Sequence, residues 1–245
     1  MTKRHLLTAL LLIALGGSAG AQSSDTAVAI VDRYLDIIGV SRWGSDSLLV
    51  LETVITSPGS TDTFVMKRWH MSPNMNRVEV WHGKKLQTAM CSNGKDRFRT
   101  MRPKSGYWVD VAASTFYEQL MPYDFRGPLF SWRGQGAKLT YLGVTKALEM
   151  YDMESVKVEG PGIFTRIYFF EPSGLLSVIV ETGELDSAFR ANEEARIDWK
   201  IIHEYQVLGD HLLPKQESFM RDGRLTILET TARFEPRNTL VFNQD

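Results

Sequence analysis

Hydrophobic positions in the chain fall mostly on a two-residue period. Between Ala195 and Phe234 three extended runs are separated by Gly209-Asp210 and Asp222-Gly223. In the first run Ile197, Trp199, Ile201, His203, Tyr205 and Val207 take every second place, with Asp198, Lys200, Glu204 and Gln206 between them. That is the pattern of a half-buried strand. The Gly-Asp and Asp-Gly pairs supply residues that tolerate positive φ, as tight hairpins require, so a closing meander of antiparallel strands is predicted.

The same reading extends upstream. Ser47 to Thr56, Thr61 to Met71, Asn76 to His82, Leu86 to Cys91 and Asp96 to Met101 read as strands parted by Ser57-Pro58-Gly59-Ser60, Ser72-Pro73-Asn74, Gly83-Lys84 and Asn93-Gly94. Lys138 to Leu142, Glu154 to Glu159, Phe164 to Phe170 and Leu175 to Val180 continue the series, with turns at Gly160-Pro161-Gly162 and Pro172-Ser173-Gly174. Thr182 to Asn192 is of mixed polarity and reads as an exposed excursion. Only one segment has clear helical spacing: Val28, Val31, Tyr34, Leu35 and Ile38 recur every 3.6 residues after a Ser24-Asp25 cap, and Gly39 stops the run. The expected fold is therefore mainly β (α+β), with ten or eleven antiparallel strands in a curling sheet and one helix that must find its partner on that sheet.

One interval breaks the pattern. Tyr107 to Trp132 holds Phe116, Tyr117, Leu120, Met121, Tyr123, Phe125, Leu129, Phe130 and Trp132, cut by Pro122 and Gly127-Pro128, and Thr115 with Glu118 has capping-box spacing. Two short helical pieces across the sheet fit it. They are either a crossover packed on the core or a lid over a ligand site.

The first 21 residues stand apart. Lys3, Arg4 and His5 precede an apolar run from Leu6 to Leu15, and Ala19-Gly20-Ala21 fits a cleavage site before Gln22. This predicts a secretory signal peptide, residues 1–21, followed by a single domain over 22–245 and a periplasmic location. Cys91 is the only cysteine, so no internal disulfide or cysteine metal cluster can form. With Lys3 and Arg4 removed, 26 basic side chains face 29 acidic ones without a basic run, which argues against nucleic acid.

Catalytic patterns are not found. Gly-x-Ser-x-Gly occurs only at Gly16 to Gly20, within the first 21 residues, and no His-x-x-x-His is present; the one Glu-x-x-His, Glu79 to His82, falls in a strand run and not on a helix. His203 falls on the apolar side of its run, where a hydrogen-bonded core histidine is the usual occupant. The acidic group Glu184, Asp186, Glu193 and Glu194 sits in polar sequence and reads as a solvated face. No cofactor, no metal and no enzyme activity are expected. What the sequence does offer is a set of large apolar residues, Trp69, Trp81, Met90, Phe98, Trp108, Tyr168, Phe170 and Trp199. They either fill the interior or line a cavity of the mostly apolar kind that small molecules occupy.

The order of these pieces resembles the outer membrane lipoprotein-sorting family, the LolA-like and LolB-like proteins. The matching stretches are YLDIIG (Tyr34 to Gly39), SPNMNRVEV (Ser72 to Val80), NGKDRF (Asn93 to Phe98), DFRGPLFSW (Asp124 to Trp132), YFFEPSGLL (Tyr168 to Leu176) and YQVLGDHLLPKQ (Tyr205 to Gln216). The resemblance implies an unclosed antiparallel β-barrel of about eleven strands with an N-terminal helix and a short helical lid over an apolar cavity. It also implies a carrier that holds acyl chains of a lipidated protein or lipid, as a monomer, between an inner-membrane donor and an outer-membrane acceptor. On that reading the cavity and lid comprise Trp69, Trp81, Met90, Phe98, Phe116, Leu120, Met121, Phe125, Leu129, Phe130, Trp132, Tyr168, Phe170 and Trp199. Family carriers latch the lid through a basic residue of the second strand, for which Arg68 is the nearest candidate here. An envelope module that senses a protein partner without moving lipid is the alternative.

Overall fold

The computed structural model describes residues 24–39, 47–71, 75–101, 105–112, 115–116, 129–130, 132–133, 136–147, 151–160, 163–182, 197–221 and 224–242. The segments 1–23 and 183–196, with the expected signal peptide and excursion, lie outside them. Helix α1 is Ser24–Ile37, and the strands are β1 (Ser47–Thr56), β2 (Thr63–Met71), β3 (Met75–His82), β4 (Lys85–Asn93), β5 (Phe98–Met101), β6 (Trp108–Asp110), β7 (Lys138–Ala147), β8 (Tyr151–Gly160), β9 (Ile163–Phe170), β10 (Leu176–Thr182), β11 (Ile197–Leu208), β12 (His211–Arg221) and β13 (Arg224–Pro236). They form one sheet of thirteen strands in the order β6-β5-β4-β3-β2-β1-β13-β12-β11-β10-β9-β8-β7. Each strand pairing that the structure describes is antiparallel. The ends of the order, β6 and β7, are different strands that do not pair, so the sheet is not closed into a barrel.

Thirteen strands exceed the eleven expected. One surplus strand is β6, which lies inside the interval read as a crossover or a lid: Trp108 to Asp110 pairs with Met101 to Arg99 at the start of that interval. Three consecutive backbone pairs outweigh the aromatic content that made this stretch read as non-strand.

The chain groups into two compact units. The first comprises Met1–Ile38, Pro128–Ile202 and Met220–Gly223. Here α1 finds its sheet partner. Tyr34 meets Phe170 edge-on with ring centroids 5.6 Å apart, Arg33 forms an ion pair with Glu154, and Arg133 pairs with Asp32 at 2.7 Å. Phe170 and Glu154 are direct cross-strand partners, so one rung of β8 and β9 receives the helix. Gly174 makes that approach feasible: a Cβ there would lie 2.7 Å from Ile37 Cδ1, and the backbone already has φ +86° in the turn after β9. The opposite face carries Met153, Ile167, Phe169, Val178 and Val180, with Trp199 and Ile201 packed against them.

The second unit comprises Gly39–Gly127, His203–Phe219 and Arg224–Asp245. Its strand turns follow their chemistry. The Asn93 carboxamide oxygen accepts from the backbone N–H groups of Lys95, Asp96 and Arg97, and Gly94 has φ +78°. The Gly209-Asp210 hairpin joins β11 to β12, with Gly209 at φ +60°.

The alternation of β11 holds for half its length. Trp199 and Ile201 pack as expected, but His203 is exposed, Val207 is 75% exposed, and the intervening Ile202 is buried. From Gln206 onward the other face does the packing. Gln206 Nε2 donates to the Thr230 carbonyl at 2.7 Å and to that of Pro214 at 3.3 Å, its Oε1 accepts from Ala232 N–H, and Leu208 packs with Leu49, Leu51, Leu213 and Ala232. Pro214 has no N–H to give, and the Gln206 carboxamide bonds to its carbonyl and to both an acceptor and a donor of β13.

Candidate functional site

The candidate site lies within the second unit, and register builds it. Along β1 to β5 and β13, Ile55, Met66, Val78, Val80, Met90, Phe98 and Leu228 project from one face. Phe116, helical with Thr115, is seated on them with 0% exposure, its ring centroid 5.4 Å from that of Phe98. Two backbone bonds bring it there: Val111 N–H donates to Phe98 O at 2.9 Å and Phe116 N–H to Ala112 O at 3.0 Å. An aromatic side chain from the crossover thus covers an aliphatic and thioether surface.

Beside that surface, on the same face, runs a polar band. Arg68 is buried and its Nη2 donates to Thr53 Oγ1 at 2.8 Å, while Thr53 and Thr230 share a hydroxyl bond of 2.8 Å. One strand step on, His70 Nδ1 and Asn76 Oδ1 are 2.9 Å apart, both residues buried. Arg68 pairs with Val78 and His70 with Asn76 in register, so the band borders the apolar cluster rung by rung.

The opposite face of these strands has other business. Trp69, Met71, Met75, Leu48 and Val50 are covered by Val241 and Phe242 of a 3-10 turn, Thr239–Phe242. Arg77 donates to the Val241 carbonyl at 2.8 Å, lies 5.6 Å over the Trp69 ring and pairs with Glu79, which also accepts from Trp81 Nε1 at 3.0 Å.

The residues singled out from sequence therefore separate. Met90, Phe98 and Phe116 come together, with Arg68 alongside. Trp69 and Trp81 project from the far face, held by Arg77 and Glu79. In the first unit Phe170 meets α1 and Tyr168 is buried on the same side of β9, whereas Trp199 packs on the Phe169 side. Leu129 is buried, Phe130 is half-buried, and Trp132 is half-buried beneath the Arg133 guanidinium at 4.4 Å. Leu120, Met121 and Phe125 lie outside the described residues, as does the rest of the segment that Arg68 would latch. Attention to large aromatics missed Met66, Val78, Ile55 and Leu228. Period-two projection from Met90 across neighbouring strands would have found them.

Histidines have local duties. His82 faces Asp62 at 3.4 Å, His203 bonds Ser218 at 2.8 Å and His211 bonds the Gly39 carbonyl at 3.0 Å. Among the described residues no group of three or more His, Cys, Asp or Glu is placed to hold a metal, and no helix is long and apolar enough to cross a membrane.

The sequence matches no protein-family model and no curated protein. Its backbone does match solved structures. A LolA superfamily protein of Nitrosomonas europaea superposes with a TM-score of 0.62 at 11% identity, over 89% of this chain and 98% of that one. A domain of the outer membrane lipoprotein-sorting kind from Vibrio parahaemolyticus gives 0.58 at 12% identity, over 90% and 97%, and a DUF1329 family protein from Desulfovibrio piger gives 0.57 at 12%, over 89% and 97%. With so few identical residues the likeness is one of backbone, and it agrees with the open antiparallel sheet and single long helix among the described residues: the chain has a LolA-like fold.

Proposed function

We propose that this protein is a monomeric periplasmic carrier, exported by its first 21 residues, that shelters acyl chains of a lipidated protein or lipid on the Phe116 face and moves them toward the outer membrane. It acts by binding, without covalent chemistry. The observation that carries the reading is Phe116 itself: a crossover side chain, wholly buried, fills an apolar strand surface that an acyl chain could take over. The LolA-like backbone supports it, since one solved relative is described as lipoprotein-sorting.

Energy favours exchange over permanent retention. A chain of about fourteen methylenes gains roughly 11 kcal/mol on burial at about 0.8 kcal/mol each. Immobilising the ligand takes part of this, and displacing Phe116 takes more, because its contacts with Met66, Val78 and Met90 are lost when the ligand enters. The ligand then leaves readily for an equally apolar acceptor.

Native mass spectrometry of protein purified from the cell envelope tests this. Co-purified masses of acyl-bearing molecules are expected. A protein partner without acyl chains would replace the carrier with the sensing module, and turnover of an added apolar ligand would replace it with an enzyme.

A further inference from the structure

We infer that Leu228, Ile55, Phe64 and His82, which stand side by side on four strands, form the entrance of the Phe116 surface. An acyl ligand goes in hydrocarbon first, toward Val78 and Met90, and leaves its polar end in water beside His82. This rests on the carrier reading of the Phe116 face and gives it a direction. For a lipidated cargo the polar end is the protein body, which then rests against the turns at 57–62 and 83–84.

Exposure falls in one direction along that face. In the entrance rung Leu228, Ile55 and Phe64 are half-buried and His82 is exposed. In the next rung Val80 is half-buried and Met66 buried, and one rung further Leu51, Val78 and Met90 are all buried, with Phe116 seated over the cluster. The opposite end of the face is shut. Phe234 is 37% exposed there, but buried Leu49, His70, Asn76 and Ser92 follow one another between it and Phe98. An apolar tail therefore reaches the Phe116 cluster most directly from the Phe64 end.

The length and chemistry of the path suit one chain. From the His82 rung to that of Val78 and Met90 is four residues, about 13 Å, and Phe98 carries the surface one rung more, to about 20 Å. One acyl chain spans about 15 Å, half the hydrocarbon thickness of a bilayer. Along this line Val80, Val78, Met90 and Phe98 offer carbon and sulfur. At the entrance the His82 ring stacks on Phe64 with centroids 4.8 Å apart, and its Nε2 faces Asp62 Oδ1 at 3.4 Å. A polar head kept there stays hydrated, whereas one carried inward gives up water among carbon atoms. The tail gains most from the reverse, so insertion has one favoured direction.

The test uses the unmutated mature protein, freed of lipid and isotope-labelled for NMR, with octadecanoate carrying a nitroxide near its carboxylate or near its methyl end. The head-end probe should erase the backbone amide signals of Asp62, Gly83 and Lys84 and spare those of Ser92 and Phe98. The tail-end probe should do the reverse. Probes that swap these patterns, or that erase both ends alike, overturn the entrance. Where a nitroxide is too bulky to bind, octadecanoate labelled with 13C at its methyl group decides instead: its NOEs should reach Val78 or Met90, and NOEs to Phe64 alone overturn the direction. Losses confined to the first unit would take the ligand off the Phe116 face and overturn entrance and carrier site together. If unlabelled octadecanoate shifts no signal of the folded protein, the carrier reading itself fails.

Discussion

The two faces of β1 to β5 share one backbone and one alternating pattern, yet they are finished differently. On one, Phe116 from the crossover rests on Met66, Val78 and Met90 without a charge among them. On the other, Val241 and Phe242 close over Leu48, Val50, Met71 and Trp69, and Arg77 fastens the closure by donating to the Val241 carbonyl. The first cover meets its surface through apolar side-chain contact and is brought there by backbone hydrogen bonds of its own segment; the second adds a side-chain hydrogen bond, an ion pair and a cation–π contact. An apolar contact such as that of Phe116 with Met66, Val78 and Met90 can be exchanged for contact with another hydrocarbon. One that is also fastened through directional bonds cannot, because no hydrocarbon supplies the carbonyl that Arg77 needs.

The sharpest way to break this comparison is Phe116→Ala. Loss of a fully buried aromatic should cost about 3–5 kcal/mol in the ligand-free protein, by denaturant titration. Uptake of an acyl chain should stay the same or tighten, since the ligand no longer displaces the side chain. Parallel loss of stability and uptake would make Phe116 an ordinary core residue.

Phe242→Ala is the counterpart on the other face. It should cost somewhat less, about 2–4 kcal/mol, because a four-residue turn outside the sheet can relax around the gap. Acyl uptake should be unchanged, and weaker uptake would mean the two faces are coupled. A smaller effect is expected from Thr230→Val, which removes the hydroxyl bonded to Thr53 and should cost about 1 kcal/mol.

Most of the fold was legible because it is local. The helix from Ser24 to Ile37 follows from its cap, its 3.6-residue spacing and Gly39, which has φ +77°. Asn93-Gly94, Pro172-Ser173-Gly174 and Gly209-Asp210 all lie where strands end. The faces were another matter. Alternation sorts a strand's residues into two sets, but which set meets which cover depends on segments far away in sequence, as with Arg77 and Val241, 164 residues apart. Trp69 and Trp81 had the size expected of cavity residues, and size says nothing of parity. Gln206 was read as a solvated position. Pro214 across the turn gives its carboxamide a half-buried use, and Val207 is left outside.

Cys91 gives the smallest and most specific reading of the Trp69 face. It is buried between cross-strand partners Arg77 and Arg99, and burial pushes its thiol above the ordinary value of 9.0, outweighing the downward pull of Arg77, Arg99 and Arg97. The folded chain thus holds the proton more tightly than the unfolded chain does. Stability from this group is fully present below about pH 9 and falls as pH rises further, because only the unfolded thiol ionises there. At pH 8 iodoacetamide should modify Cys91 slowly in the native protein and rapidly in denaturant, since the thiolate is the nucleophile and the site is closed. Loosening the C-terminal cover by Phe242→Ala should speed native labelling, and Phe116→Ala should speed it less. Equal acceleration by the two variants would show that the faces open together, and the distinction between a fastened cover and an exchangeable one would be lost.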